Sequence, residues 1–203
     1  MTIRKGETWG TSAPLPAGAP IVHTDAQARR LVDDAIVRGA PIPTIGLLGG
    51  DLCRTLGGQG DEPRLSGPDA MTFPMDLGTV DLDGVRHRFV AHCVVRRSWW
   101  HGPVLVAMNA QWLGRWDLGP RSHPDDGLLD IAFGDLSLDD RFKARRRLAT
   151  GTHVPHPGIT EVRAATHEAT FARPLGVWLD GERVGRASTV VLGIEADAWR
   201  VVV

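Results

Sequence analysis

Residues 108–130 read MNAQWLGRWDLGPRSHPDDGLLD, and the rest of the chain is organised around them. The stretch begins as the end of a strand, since Val104 to Met108 is a short apolar run rich in β-branched residues. It opens into an irregular segment of Gly, Trp, Arg, Pro and His, closes on Asp125-Asp126-Gly127, and re-enters a strand at Leu128 to Phe133. A polar and aromatic loop held between two apolar strands is a place where sites are built. It is equally the form of a long packed connection between two sandwich strands.

On both sides of this loop the pattern is mostly β. Thr79 to Asp83 and Val85 to Val95 flank Asp83-Gly84, a hairpin signal. Leu175 to Leu179, Arg183 to Val184, Ser188 to Ile194 and Trp199 to Val203 continue the strands and predict a sandwich. One helix interrupts them. Ser137 caps it with Asp140 three residues on, Leu138 to Ala149 form its body, and Gly151 lies past its end. Upstream, residues 1–20 read as an extended arm rich in Gly, Pro, Ala and Thr. Pro20 to Val22 is a short strand. Thr24 or Asp25 caps a helix with Ala28, Leu31, Val32, Ala35 and Ile36 at helical spacing, ended by Gly39 and Pro41. Thr44 to Leu48 is a second strand leading into Gly49-Gly50-Asp51, and this strand–helix–strand order favours a parallel pair. The polar, Gly/Pro-rich run from Gly58 to Pro68 marks a boundary. The expected fold class is therefore α+β, mainly β: an arm over 1–20, a reduced α/β, Rossmann-like lobe over 21–66, and a β-sandwich domain over 67–203.

Composition narrows the function classes. The 203 residues are 42% hydrophobic and 23% charged with a net charge of −1, which describes an ordinary globular protein and argues against a general nucleic-acid binder. No apolar run is long enough to span a membrane, and the N-terminus lacks a signal-peptide core. Cys53 and Cys93 suggest no disulfide framework, so a reducing cytoplasm is the default location. No Cys/His cluster has zinc spacing.

Three motifs in order carry a family resemblance. Asn109 is followed by Gly114, Gly119, Pro120 and then Asp126-Gly127-Leu128-Leu129-Asp130; Gly151-Thr152-His153 follows a helix; and Trp178-Leu179-Asp180-Gly181-Glu182 comes last. This resembles the diacylglycerol kinase and sphingosine kinase superfamily, bacterial lipid kinases included, over residues 20–203 and most specifically over the second half. The resemblance implies an N-terminal α/β nucleotide domain and a C-terminal sandwich; the opening strands and helices of that first domain have no counterpart in these residues. It also implies ATP and Mg2+ as cofactors. Of the family's first glycine motif only Asp25 remains, within His23 to Gln27. Gly49, Gly50, Asp51 and Arg54 match the end of the second, shortened by the loss of Thr and Asn. With Asn109, these are the implied cofactor-binding residues. Asp126 and Asp130 are the implied magnesium ligands, and carboxylates in a tight turn suit a hard cation. Asp180 and Glu182 are the implied catalytic residues, placed near an acceptor hydroxyl as base or positioner. Each of these segments also has a plain structural use: a strand-to-helix connection, a β-turn, and an Asp-Gly hairpin of the kind already seen at Asp83-Gly84.

The expected function is thus a diacylglycerol- or lipid-kinase-like protein, by ancestry transferring phosphate from ATP to a lipid hydroxyl, with a degenerate nucleotide site. The alternative is a non-catalytic relative that binds a ligand or partner. ATP should bind no tighter than millimolar, because glycines that allow close approach to phosphate are missing. Asp126 and the Asp180–Glu182 turn should share one region at the mouth of a groove, compensated by Arg54, Arg115 or magnesium. Asp180→Ala should leave the fold intact at modest cost. Arg141, Lys143, Arg145, Arg146 and Arg147 read as a solvated basic face, or as peripheral contact with an anionic lipid surface. An exposed sheet edge calls for a homodimer or for the arm to lie across it.

Overall fold

The computed structural model describes residues 9–153 and 156–203; the first eight residues of the expected arm lie outside the described residues. The front of the chain holds β1 (Thr11–Ser12), β2 (Ile21–Val22), α1 (Asp25–Val37), β3 (Ile45–Leu47), α2 (Gly50–Thr55) and α3 (Glu62–Leu65). The sandwich strands begin with β4 (Met71–Leu82), β5 (Val85–Phe89), β6 (His92–Arg96) and β7 (Val104–Met108). A small ribbon of β8 (Trp112–Leu113) and β9 (Trp116–Asp117) follows, then β10 (Leu129–Gly134), α4 (Leu138–Arg147), β11 (Ile159–Ala164), β12 (Thr166–Leu179) and β13 (Glu182–Val202).

Local chemistry explains the front elements. Thr24 caps α1, its hydroxyl accepting from the Gln27 amide at 3.2 Å, and Ala28, Val32 and Ala35 form its buried face. The helix ends at Arg38, and Gly39 takes a left-handed φ of 64°. β2 and β3 pair in parallel, Ile21 opposite Gly46. On its other side β3 pairs in parallel with the end of β13, Ile45 opposite Val201. The short front strands therefore extend the sheet of the sandwich. The visible arm covers an edge: β1 pairs with the start of β4, and Trp9 packs on Phe73 with ring centroids 4.6 Å apart.

The main path of the sheet runs β1-β4-β13-β12-β6-β7-β10-β11, antiparallel throughout, with β5 beside β4. It folds over itself into a sandwich. Val80, Phe89, Val95, Leu105, Ile131, Val177 and Leu192, from seven different strands, meet in one buried cluster. Each such side chain contributes about 1.5–3 kcal/mol when fully buried. A second cluster under α1 joins Val32, Ile45, Leu52, Met75, Trp199 and Val201, tying the front elements to β4 and β13.

Three expectations needed revision. The separate strands at 183–184, 188–194 and 199–203 are one 21-residue strand, β13, which bends through register irregularities instead of breaking. β11 and the first half of β12 were not legible, because Thr166 to Thr170 alternates exposed with half-buried small and polar residues and Ala172 to Pro174 are all exposed, leaving Phe171 as a single buried anchor. Arg141 is not on a solvated face: it is 8% exposed and donates to the Leu136, Trp99 and Gly102 carbonyls. The capping box at Ser137 is present, with the Asp140 amide donating to the Ser137 hydroxyl at 3.2 Å. Among the described residues no helix is long and apolar enough to cross a membrane.

Candidate functional site

Gly49 and Gly50 turn the chain from β3 into α2. A Cβ on Gly49 would lie 2.5 Å from the His23 carbonyl oxygen, and one on Gly50, whose φ is 95°, would lie 2.4 Å from Asp25 Oδ1. The glycines thus permit a close approach, but the group that approaches is Asp25. Its Oδ2 accepts from the Asp51 amide at 2.6 Å and its Oδ1 from the Leu52 amide at 3.1 Å. Those are amides at the mouth of the expected phosphate cradle. A phosphate arriving there meets a carboxylate already bonded to them, so the cradle as built does not fit one.

Burial pushes the Asp25 carboxyl up to about 7, and the neighbouring Asp180 charge adds to the rise. Asp180 sits at the tip between β12 and β13 with its side chain wholly buried. Its carboxylate accepts from the amides of Val90 at 3.0 Å, Ala91 at 2.8 Å and His92 at 3.0 Å. Burial pushes it up to about 6 against the pull of those amides and of Arg29, whose Nε lies 3.4 Å from Oδ2. Glu182 faces outward and is held by Arg29 at 2.8 Å and Arg30 at 2.6 Å. Arg29 was not singled out from the sequence. The available signal was the spacing Asp25, Arg29, Asp33, which puts alternating charges on one helix face.

Asp51 and Arg54 reach across to the ribbon that follows β7. Asp51 Oδ1 accepts from the Gly114 amide at 2.7 Å, and Arg54 donates to the Gly114 carbonyl at 2.7 Å while lying 3.6 Å from the Trp112 ring centroid. His92, pushed down to about 4 by burial, is neutral and donates from Nε2 to the Ala110 carbonyl at 3.1 Å. Its Nδ1 lies 3.8 Å from Asp51 as a polar neighbour and carries no charge. Asn109 is fully buried, and its amide nitrogen donates to the Asp76 and Val90 carbonyls, each at 3.0 Å.

Asp126 and Asp130 belong to a second acidic group. Asp126 Oδ1 accepts from the Leu128 amide at 3.0 Å, and Oδ2 is bonded by Arg163. Arg163 also lies 3.7 Å from Asp130. Buried Asp76 completes this group, accepting from Gly127 at 2.6 Å and from Asp197 at 2.9 Å. Burial pushes Asp126 up to about 6 against the pull of Arg163, with Asp130 and Asp76 adding to the rise. The cation here is a guanidinium. Among the described residues no group of three or more His, Cys, Asp or Glu side chains is disposed to hold a metal; a magnesium ion here would have to displace Arg163 and rest on Asp126 and Asp130 with waters for its other ligands. Asp25, Asp51 and Asp180 thus come together, whereas Asp126 and Asp130 gather around Arg163. Asn109 links the groups through Val90 and Asp76. The compensating charges are Arg29 at Asp180, Arg163 at Asp126 and Asp130, and Arg54 at Asp51.

The comparisons with known proteins agree with this architecture. The structure is similar to two solved structures of Bacillus anthracis str. Sterne proteins assigned as diacylglycerol kinases. The first has a TM-score of 0.68 at 14% identity, covering 89% of this chain and 76% of that one. The second has a TM-score of 0.59 at 14% identity, covering 79% and 69%. A third, a diacylglycerol kinase of the same organism, has a TM-score of 0.55 at 15% identity, covering 79% and 66%. At such identities the likeness is one of fold. No curated protein matches the sequence. The model of one family, the YegS C-terminal NAD kinase beta sandwich-like domain, matches residues 72–203. That match spans well over half of the chain, which therefore belongs to the family of the YegS C-terminal NAD kinase beta sandwich-like domain.

Proposed function

We propose that this protein is a lipid-kinase-like binding protein in which ATP-dependent phosphoryl transfer is lost or very weak. The observation that carries the reading is the Asp25 carboxylate, bonded to the amides of Asp51 and Leu52 at the mouth of the would-be cradle. Asp25 occupies the donors a polyphosphate would use and, as it ionises above about 7, also repels one. The implied catalytic carboxylates are engaged as well, Asp180 by three backbone amides and Glu182 by Arg29 and Arg30. ATP, with or without magnesium, should bind no tighter than about 1 mM, or about −4 kcal/mol. Titration calorimetry checks this, and a micromolar affinity overturns it. Asp25→Ser frees both amides and removes the repulsion, so it should tighten ATP binding if the cradle is closed only from within.

A second reading keeps phosphoryl transfer to a diacylglycerol-like hydroxyl. It is favoured by two adjacent carboxyls displaced to about 7 and about 6, since displaced values cluster at functional sites. In it, Asp180 accepts the hydroxyl proton. Transfer of labelled phosphate from ATP to diacylglycerol in mixed micelles, lost in Asp180→Asn, would establish it. A cytoplasmic location and a homodimer remain part of the proposal; sedimentation equilibrium tests the dimer.

A further inference from the structure

An open cleft of about 970 Å³, lined by none of the site carboxylates, lies beside the β12–β13 hairpin. It is formed where β12 swells. Between Thr170, opposite Thr189, and Leu175, opposite Ala187, four residues of β12 face one of β13, so Phe171 to Pro174 bulge out of register. Beyond the bulge, β12 pairs with the end of β6, Gly176 opposite Arg96, and three residues later Leu179 lies opposite Cys93, next to the Asp180 turn. Trp178 and Arg183, a cross-strand pair in the cleft wall, lie next to that turn.

Five arginines line the cleft: Arg96, Arg97, Arg173, Arg183 and Arg186. The one acidic side chain in the wall, Asp135, is paired with Arg141 at 3.0 Å. None of the five arginines forms an ion pair among the described residues. Arg186 donates to the Pro174 carbonyl at 2.7 Å, which steadies the bulge. Arg96 lies flat on Trp178, 3.9 Å from the ring centroid, and 4.7 Å from Trp99. Its Nε is buried without a hydrogen-bond partner. Desolvating a cation without a counter-charge is costly, and an anion in the cleft would offset that cost.

The remaining wall is apolar, from Phe133, Phe171, Leu175 and Trp178. Phe133 and Phe171 tilt against each other at 41°, and Arg96 already covers a Trp178 face, which leaves little room for stacking a planar base. The volume is that of a small-molecule pocket, larger than a shallow contact with a membrane surface needs. Several unpaired guanidiniums favour a doubly charged head over a carboxylate, and a phosphate monoester carries nearly two charges at neutral pH.

We infer that this cleft binds a phosphate monoester with an aliphatic body, the arginines taking the phosphate and the aromatic wall the chain. The inference does not depend on the state of the nucleotide cradle. Its test is titration calorimetry of the full chain with dihexanoyl phosphatidate as a monomer. Dihexanoyl phosphatidylcholine, inorganic phosphate, a single-stranded RNA oligomer and phosphatidylcholine vesicles doped with phosphatidate serve as the other arms. Phosphatidate should bind at least about tenfold tighter than phosphatidylcholine or inorganic phosphate, and added salt should weaken it. Arg173→Glu changes an exposed residue with no structural bond, and should weaken phosphatidate binding at least about tenfold without moving the unfolding midpoint. Arg96→Gln should weaken it as well. Equal binding of phosphatidylcholine, tighter binding of inorganic phosphate or RNA, binding to vesicles but not to the monomer, or no effect of Arg173→Glu would each overturn the inference. ATP binding should be unchanged in Arg173→Glu, so the outcome is separable from that for the cradle.

Discussion

The chain builds the same hairpin twice, and the two copies differ in what surrounds them. Asp83-Gly84 and Asp180-Gly181 have paired positive φ angles, 48° and 90° in the first, 51° and 84° in the second, as a tight two-residue turn requires. In each, the aspartate amide donates to a carbonyl of a neighbouring strand: Asp83 to Thr189 at 3.0 Å, Asp180 to His92 at 2.9 Å. In each, the carboxylate accepts amides from that neighbour, Ser188 and Thr189 of β13 for Asp83, His92 of β6 and the preceding Val90 and Ala91 for Asp180. Asp83 does this in water. Asp180 does it with a fully buried side chain beside Asp25 and Arg29. An Asp-Gly turn is therefore a strand clamp first. What makes the second copy a candidate site is its burial and its charged company, which no short motif records.

The largest expected effect separates the copies directly. Asp180→Ala leaves three buried amides without an acceptor and takes from Arg29 the buried one of its carboxylate partners, so it should cost about 3–5 kcal/mol in urea unfolding. That replaces the modest cost expected from the hairpin alone. A loss below about 1 kcal/mol would break the comparison, because Asp180 would then be no more of a clamp than an exposed turn residue.

The next effect is one of pH. Asp25 and Asp180 are pushed up to about 7 and about 6 from 3.8, so between these values the folded state holds protons that the unfolded chain has released. Their contribution to stability is full below about 3.8 and is lost as pH rises through about 6 and 7. His92 opposes them: pushed down to about 4 from 6.5, it stays neutral when the unfolded chain would take a proton, so its term improves as pH rises across that window. Subtracting the stability curve of Asp25→Asn from that of the native chain isolates Asp25. The difference should fall with rising pH at up to about 1.4 kcal/mol per unit. A flat difference would mean that Asp25 titrates normally. The smallest effect is Asp83→Ala, at about 1 kcal/mol by the same denaturation, because water replaces the exposed acceptor.

Much of the fold was legible because it is written in neighbours. Thr24 capping α1, Ser137 capping α4 and both Asp-Gly turns follow from residues within a few positions of one another, and the parallel pairing of β2 with β3 from the strand–helix–strand order between them. The candidate site was legible only as a set of residue types. Asp25 finds its amides 26 and 27 positions away, and Asp180 finds its own 88 to 90 positions away. Arg163 meets Asp126 across 37 positions. Spacing in sequence carries no trace of such partners. The resemblance named Asp126 and Asp130 as implied magnesium ligands, and the fold brings Arg163 of β11 against both.

The order in which the strands are made has a consequence of its own. β3, at residues 45–47, is flanked by β2 and by the far end of β13, where Ile45 meets Val201 and Gly46 meets Val202. β4 likewise pairs with β13 along most of its length, from Val190 to Val202. On the ribosome, the early strands emerge long before the strand that completes them. Until residue 202 has been synthesised they must wait with open edges, and contacts of such long range close slowly. The clamp of β1 on the start of β4 shields part of one edge during that interval, which gives the arm a use in biogenesis as well as in the finished molecule.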